Sequence, residues 1–446
     1  MILSIPQSIA LFCQLFKENM TKWQKKIIPR MITGMLMSYG DPNFAVISRT
    51  IITHQRNRSS VMRFFKTKRF KSRDLYRQAL REVIKSLKHV DKDLWFIVLD
   101  GTSSKRGGFT KILNAIKYKE KSSSEKGKST KAHMFLMGLL LLPNGVRLPL
   151  PRMSYYTKEY CKKTGRKFVT LVQLAAEMIK SAPIPPKIKK VMVLADEYFE
   201  GQVVHEICNR LGYKYIMPAD SRRCFSDRNG KSTKITLHER GRHLSGKLFR
   251  KLQFVTGTEE TASYRRLSAK INRNNKRVYR AYTEIRRVSG LGNVSVTYSW
   301  KQQKKGSRKC GEKYRVFVSN DKKLSVGKIV EYYELRWQIE LFFREIKSEL
   351  GFSQYRGGDF QSFERYIDVL MLGFLFLEWY RIEKEKSAEN KKIKASISRN
   401  RTKGLLRQLQ KDINIENAEF LESCLKFKKR RRMKLVSIIK GLLKAA

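Results

Sequence analysis

The sequence predicts a mixed α/β fold, with a sheet flanked by helices, a β-rich insertion, and helical N- and C-terminal regions. Three observations carry this. Trp95–Leu99 is a continuous apolar run of strand length and Lys190–Ala195 (KVMVLA) is a second buried-strand run, the pattern of strands covered on both faces. Met134–Leu142 and Val146–Leu150 are strand-like and flank Pro143-Asn144-Gly145, a hairpin signal that is followed by alternating helix and strand patterns. Helical apolar spacing dominates before residue 90 and after residue 326.

The 446 residues are 41% hydrophobic and 11% aromatic, enough for a sizeable core and against whole-chain disorder. Lys and Arg number 95 against 39 Asp and Glu, a net charge of +56. Such self-repulsion has no use in an ordinary metabolic enzyme and points to a polyanion, nucleic acid before an acidic membrane surface. The apolar start MILSIPQSIALFCQLF lacks a basic n-region and a small-residue cleavage site, so it reads as a short amphipathic helix rather than a signal peptide. Met134–Pro143 and Val369–Tyr380 are too short to span a bilayer. Cys13, Cys161, Cys208, Cys224, Cys310 and Cys424 form no C-x-x-C pair, which argues against a disulfide framework or zinc ribbon and fits a reducing cytosol.

In chain order, residues 1–90 read as a helical, basic, DNA-binding region. Phe12–Trp23 and Lys26–Met37 have helical spacing, and Gly40-Asp41-Pro42 is a break with Asp41 as a cap. The stretch from His54 to Lys71 carries Arg56, Arg58 and Arg63 around Phe64 and Phe65. It fits either a helix-turn-helix-like DNA reader or a helical cap with a solvated basic face. Residues 91–218 form the first part of an α/β core. Here Thr170–Ile179 and Gly201–Leu211 are helical, and Tyr213–Met217 is a further strand. Residues 219–312 are basic, rich in Thr, Val and Tyr, and read as the β-rich insertion, with Lys276–Arg286 and Asn293–Trp300 alternating like exposed strands. Residues 313–358 return to the core with a strand at Tyr314–Ser319 and a long helix over Val326–Leu350. Residues 359–446 form a helical basic C-terminal region, with a helix at 363–382, a loose Lys- and Ser-rich stretch to 403, and the basic block KFKKRRR.

The chemistry concentrates at three acids. Asp100 closes WFIVL and Asp196 closes KVMVLA. The carboxyl ends of strands in α/β sheets are where ligands and catalytic groups gather. The competing reading of each is a turn aspartate. On the helix over Val326–Leu350, Tyr333, Arg336, Glu340 and Lys347 fall within an arc of roughly 60° beside the apolar face. A solvated charge stripe explains this poorly, because polar groups bordering a core need partners.

Tyr333-x2-Arg336-x3-Glu340-x6-Lys347, within YYELRWQIELFFREIKSELG, resembles the signature of DDE transposases of the IS-four type. Asp100 in VLDGT and Asp196 in VLADEYF match the two aspartate motifs of that family in order and context. The resemblance covers about residues 94–380. It implies an RNase H-like catalytic domain and cut-and-paste DNA chemistry at an Asp100–Asp196–Glu340 site. Two Mg²⁺ ions, with Mn²⁺ able to substitute, would be held there, Asp100 bridging both. Without metal, three clustered carboxylates raise one another's pKa, so a purely structural trio is disfavoured unless it is paired with the abundant lysines and arginines. Arg336 and Lys347 would hold phosphates, and Tyr333 would contact the DNA backbone or orient Glu340. For Arg336 and Lys347, pairing with nearby acids is the competing reading. Trp300 would stack an extruded base, or else be a packed aromatic of the sheet. The Thr102–Arg106 loop could touch the scissile strand.

The partners so implied are double-stranded DNA, as terminal inverted repeats and target, and a second copy of the chain in a synaptic complex, with helices from about 363 onward as dimer or DNA-end contacts. No membrane is implied, and the expected location is cytoplasmic and nucleoid-associated. The alternatives are a catalytically silent, transposon-derived DNA-binding protein and an RNase H-like DNA nuclease.

Overall fold

The computed structural model describes residues 2–38, 42–51, 57–87, 94–105, 113–119, 129–143, 145–254, 277–301, 313–355, 357, 359–388 and 402–425. Asp41, Arg56 and the KFKKRRR block lie outside the described residues. The chain divides into a sheet unit, Lys88–Lys105 with Asn114–Phe343, and a helical unit, Met1–Leu87 with Arg106–Leu113 and Arg344–Ala446.

In the sheet unit, thirteen strands are described: β1 Trp95–Lys105, β2 Ile116–Lys119, β3 Ser129–Leu141, β4 Arg147–Pro149, β5 Met153–Ser154, β6 Val191–Ala195, β7 Lys214–Pro218, β8 Cys224–Ser226, β9 Ser232–Thr236, β10 Arg250–Phe254, β11 Arg277–Val288, β12 Gly292–Lys301 and β13 Lys313–Ser319. The main order is β2-β3-β1-β6-β7-β13-β12-β11-β8-β9, with β4 and β5 on β3 and β10 on β11. β1, β6 and β7 are parallel, and the remaining pairings are antiparallel. The strands between residues 219 and 312 therefore continue the core sheet through β13, rather than forming a sheet of their own.

Trp95–Leu99 is buried at every position, as its unbroken apolar run requires. The β1–β3 ladder continues to Lys105↔Ala132. The expected end of the strand at Asp100-Gly101 is therefore corrected, and Thr102–Lys105 is strand rather than loop. β1 and β3 stay paired there, while the parallel β1–β6 ladder stops at Leu99↔Ala195. Leu171–Lys180, capped by Thr170, packs on β1 and β3. At Gly138 of β3 a Cβ would meet Met178 Sδ at 2.8 Å, so the glycine leaves room for the Met178 side chain of that helix against the strand. Gly290 and Gly292, at φ +75° and +70°, turn the chain between β11 and β12.

The single helix expected over Val326–Leu350 is two helices, Val326–Glu334 and Trp337–Ser348. At the joint, Arg336 N donates to Tyr333 O at 3.0 Å, Gln338 N to Leu335 O at 2.9 Å, and Ile339 N to Arg336 O at 3.2 Å. These tighter three-residue bonds overwind the junction, which a periodicity count does not register.

In the helical unit, the helix Phe360–Ser387 is buried at every position from Tyr366 to Ile382, the mark of a helix at the centre of a core. Helices Gln7–Gln14, Lys22–Leu36, Arg58–Lys66, Ser72–Ser86 and Thr402–Leu425 pack on it. Its apolar surface is thus covered by its own chain. The polar groups it buries are paired: Asp368 accepts from Ser72 Oγ at 2.5 Å, and Arg381 meets Glu378 at 3.0 Å. A smaller expectation is also corrected. The helical spacing of Phe12–Trp23 is interrupted by a 3-10 turn at Lys17–Asn19, and Thr21 caps the next helix with a capping box. Asn43 caps Phe44–Arg49 through Val46 N. Among the described residues no helix is long and apolar enough to cross a membrane.

Candidate active site

Side chains alternate along a strand, so Phe96, Val98 and Asp100 share one face of β1. Phe96 meets the Tyr332 ring at 5.1 Å, so this face lies under the helix Val326–Glu334. Asp100 and Asp196 each follow the last register pair of the β1–β6 ladder, Leu99↔Ala195. They therefore stand side by side where two parallel strands part, the crevice in which α/β sheets place their ligands.

The joint between the two helices delivers the rest. Arg336 is 9% exposed, and its guanidinium reaches Asp100 Oδ2 at 3.7 Å and Glu340 Oε1 at 2.5 Å. It also stands 5.8 Å over the Tyr333 ring, and Tyr333 packs on Phe317 of β13 at 4.5 Å. Burial pushes the Asp100 carboxyl up to about 6; the Gly101 N–H and Arg336 oppose this, and Asp196 and Glu340 reinforce it. Burial also raises the Tyr333 hydroxyl above its ordinary range.

The sequence-predicted residues thus divide. Asp100, Asp196, Glu340, Tyr333 and Arg336 are brought together within the sheet unit. Lys347 is exposed in the last turn of the Glu340 helix. Trp300, half-buried at the far end of β12, lies against Tyr314 at 4.6 Å. Arg58 and Arg63 are exposed on the helix Arg58–Lys66 of the helical unit.

Carboxylate oxygens suit a hard divalent cation, and the mutual repulsion felt at Asp100 is what such a cation would relieve. In this conformation Arg336 engages Glu340, and among the described residues no three His, Cys, Asp or Glu side chains gather round one point. The donor chemistry fits a metal, with Arg336 supplying positive charge between two of the three acids.

The family model described as transposase DDE domain matches residues 91–373. The chain belongs to this family. The DDE domain so defined begins just before β1 and contains all three acids as well as Tyr333, Arg336 and Lys347. No curated relative matches the chain.

Two features of the DDE domain escape a reading of the sequence. Trp337, beside Arg336, is 43% exposed, and Tyr198, two residues after Asp196, is 63% exposed. Both rings are close in sequence to the acids and left open to solvent, which local spacing cannot distinguish from core aromatics. The second feature is a buried Glu200–His205–Arg223 cluster. Its carboxylate and guanidinium come from residues 23 apart, a separation with no sequence signal.

Proposed function

We propose that the protein is a cut-and-paste DNA transposase of the IS-four type that cleaves the ends of its element and joins the freed 3′-hydroxyl to target DNA. The observation that carries this reading is the placement of Asp100 and Asp196 at the parting of β1 and β6, with Arg336 tied to both Asp100 and Glu340. Asp100, Asp196 and Glu340 would hold two Mg²⁺ or Mn²⁺ ions. Ions held there would supply activation of the attacking oxygen and neutralisation of charge developing on the phosphate. The protein's own part would be to bring the three carboxylates to the same end of the sheet, with Arg336 beside them. Arg336 supplies a fixed, forked cation able to grip a phosphate oxygen pair, and Tyr333 walls the guanidinium on its ring side. Lys347 would act as a point charge on the DNA backbone, and the exposed Arg58 and Arg63, with Arg56, as non-specific phosphate contacts. Trp300 is a candidate stacking platform for an extruded base. The net charge of +56 suits double-stranded DNA, both terminal inverted repeats and target. Joining two ends calls for a synaptic homodimer, and the expected location is the nucleoid.

The test is nicking and strand joining on DNA carrying the element's flanking repeats, in Mg²⁺, with Glu340→Gln beside the wild type. Both steps in the wild type, lost in the variant while DNA binding persists, support the reading. Binding without cleavage in either metal makes the protein a silent DNA-binding relative, and cleavage without joining makes it a nuclease.

A further inference from the structure

Four residues beyond Asp196, the chain buries a charged cluster that this chemistry does not use. The Glu200 side chain is 0% exposed. It accepts from Arg223 Nη2 at 2.8 Å on both oxygens, pairs with His205 Nε2 at 2.8 Å, and accepts from Asp220 N at 3.3 Å. Arg223 reaches further, donating through Nη1 to Ser289 O at 3.1 Å in the turn between β11 and β12. Burial works to raise the Glu200 carboxyl; His205 and Arg223 outweigh it and hold the group below the usual glutamate range.

As a stabilising device the cluster is poor. Apolar residues of similar volume commonly serve as well as a buried ion pair. His205 Nδ1 is buried with no hydrogen-bond partner among the described residues, which costs stability rather than adding it. Its location suggests another use. The β6 ladder ends at Ala195, so no strand register holds Asp196. Asp196, Glu197 and Tyr198 are exposed, and the turn is anchored by buried Phe199 and Glu200. That turn is tight: Phe199 N donates to Asp196 O at 2.9 Å, Glu200 N to Glu197 O at 3.0 Å, and Gly201 N to Phe199 O at 2.9 Å. Wherever Glu200 is clamped, Asp196 follows with little slack.

We infer that Glu200, clamped by Arg223 and His205, is the positioning residue that sets Asp196 beside Asp100. Its catalytic consequence rests on the metal-site reading above. Through the Arg223–Ser289 bond, the placement of Asp196 is also tied to the β11–β12 hairpin.

The experiment compares full-length wild type, Glu200→Gln and the triple variant E200M/H205L/R223M by hydrogen exchange, melting temperature and Mn²⁺ titration calorimetry. The triple variant is expected to melt close to wild type. Exchange over residues 196–201 should be roughly tenfold faster in both variants, with Trp95–Leu99 unchanged, and Mn²⁺ affinity should fall about tenfold, as for loss of an outer-shell partner. If the triple variant does not fold, Glu200→Gln carries the same comparison. Wild-type exchange over 196–201 in the folded variants overturns the inference. Faster exchange in a protein whose wild type binds no Mn²⁺ upholds the positioning and overturns the metal-site reading instead.

Discussion

Two acid–arginine clusters stand in the same sheet unit, and they are built in opposite ways. At Asp100, Asp196 and Glu340, three carboxylates stand near one arginine, Arg336, which pairs with Asp100 and Glu340, and the Asp100 side chain keeps 23% of its surface open. At Glu200, one carboxylate receives Arg223, His205 and a backbone N–H with no exposure at all. Asp100 is pushed up to about 6, whereas Glu200 is held below its usual range. The first cluster is short of positive charge and partly open to solvent, an arrangement that suits a cationic partner. The second has every oxygen satisfied, which is the state of a fixed anchor. The contrast separates an under-compensated carboxylate from a fully paired one more sharply than burial alone.

Substitutions can break that contrast from either side. The largest effect is expected at the open cluster: Asp100→Asn, Asp196→Asn or Glu340→Gln should each lower DNA nicking by about a thousandfold or more, read on a denaturing gel, with DNA binding retained. Next comes the closed cluster. Glu200→Ala leaves Arg223 and His205 without their carboxylate and should lower unfolding free energy by about 3–5 kcal/mol in a denaturant titration.

At the open cluster the stability effect has the opposite sign. Asp100 binds its proton more tightly folded than unfolded, so its contribution is favourable below pH about 4 and is lost as pH rises through about 6. Asp100→Asn should therefore stabilise the metal-free protein above pH about 6, by up to about 3 kcal/mol, and give no gain below pH about 4. Calorimetry at the two pH values checks both halves, and a destabilised Asn variant at neutral pH would erase the proposed difference between the clusters. The smallest effects lie outside both: Arg58→Ala or Arg63→Ala should weaken DNA binding uniformly across sequences and reduce the salt slope by about one each.

Much of the open site was legible in the chain. Trp95–Leu99 and Val191–Ala195 announce buried strands because each carries an apolar side chain at every position, and each run stops at an aspartate. Tyr333, Arg336 and Glu340 announce a stripe because helical offsets put them beside an apolar face. The closed site was invisible. Glu200 and Arg223 meet across β7 and its following turn, and the unpaired Nδ1 of His205 has no counterpart in any spacing rule.

What the sequence determined by itself is which segments are buried, because periodicity in apolar residues reports local burial directly. It determined the mixed α/β class and the order of the three acids. Tertiary structure alone decided who meets whom. The β1–β6 register put Asp100 beside Asp196, and the ladder to β3 carried β1 past the residue where its apolar run ends. The overwound joint at Leu335-Arg336 turned one expected helix into two and brought Arg336 onto Asp100 and Glu340. The enclosure of Phe360–Ile382 by helices from both ends of the chain made a core of what local hydrophobicity marks only as sticky. Local spacing encodes which face of a segment is apolar; the identity of the partner comes from strand register and crossover, which depend on the whole chain.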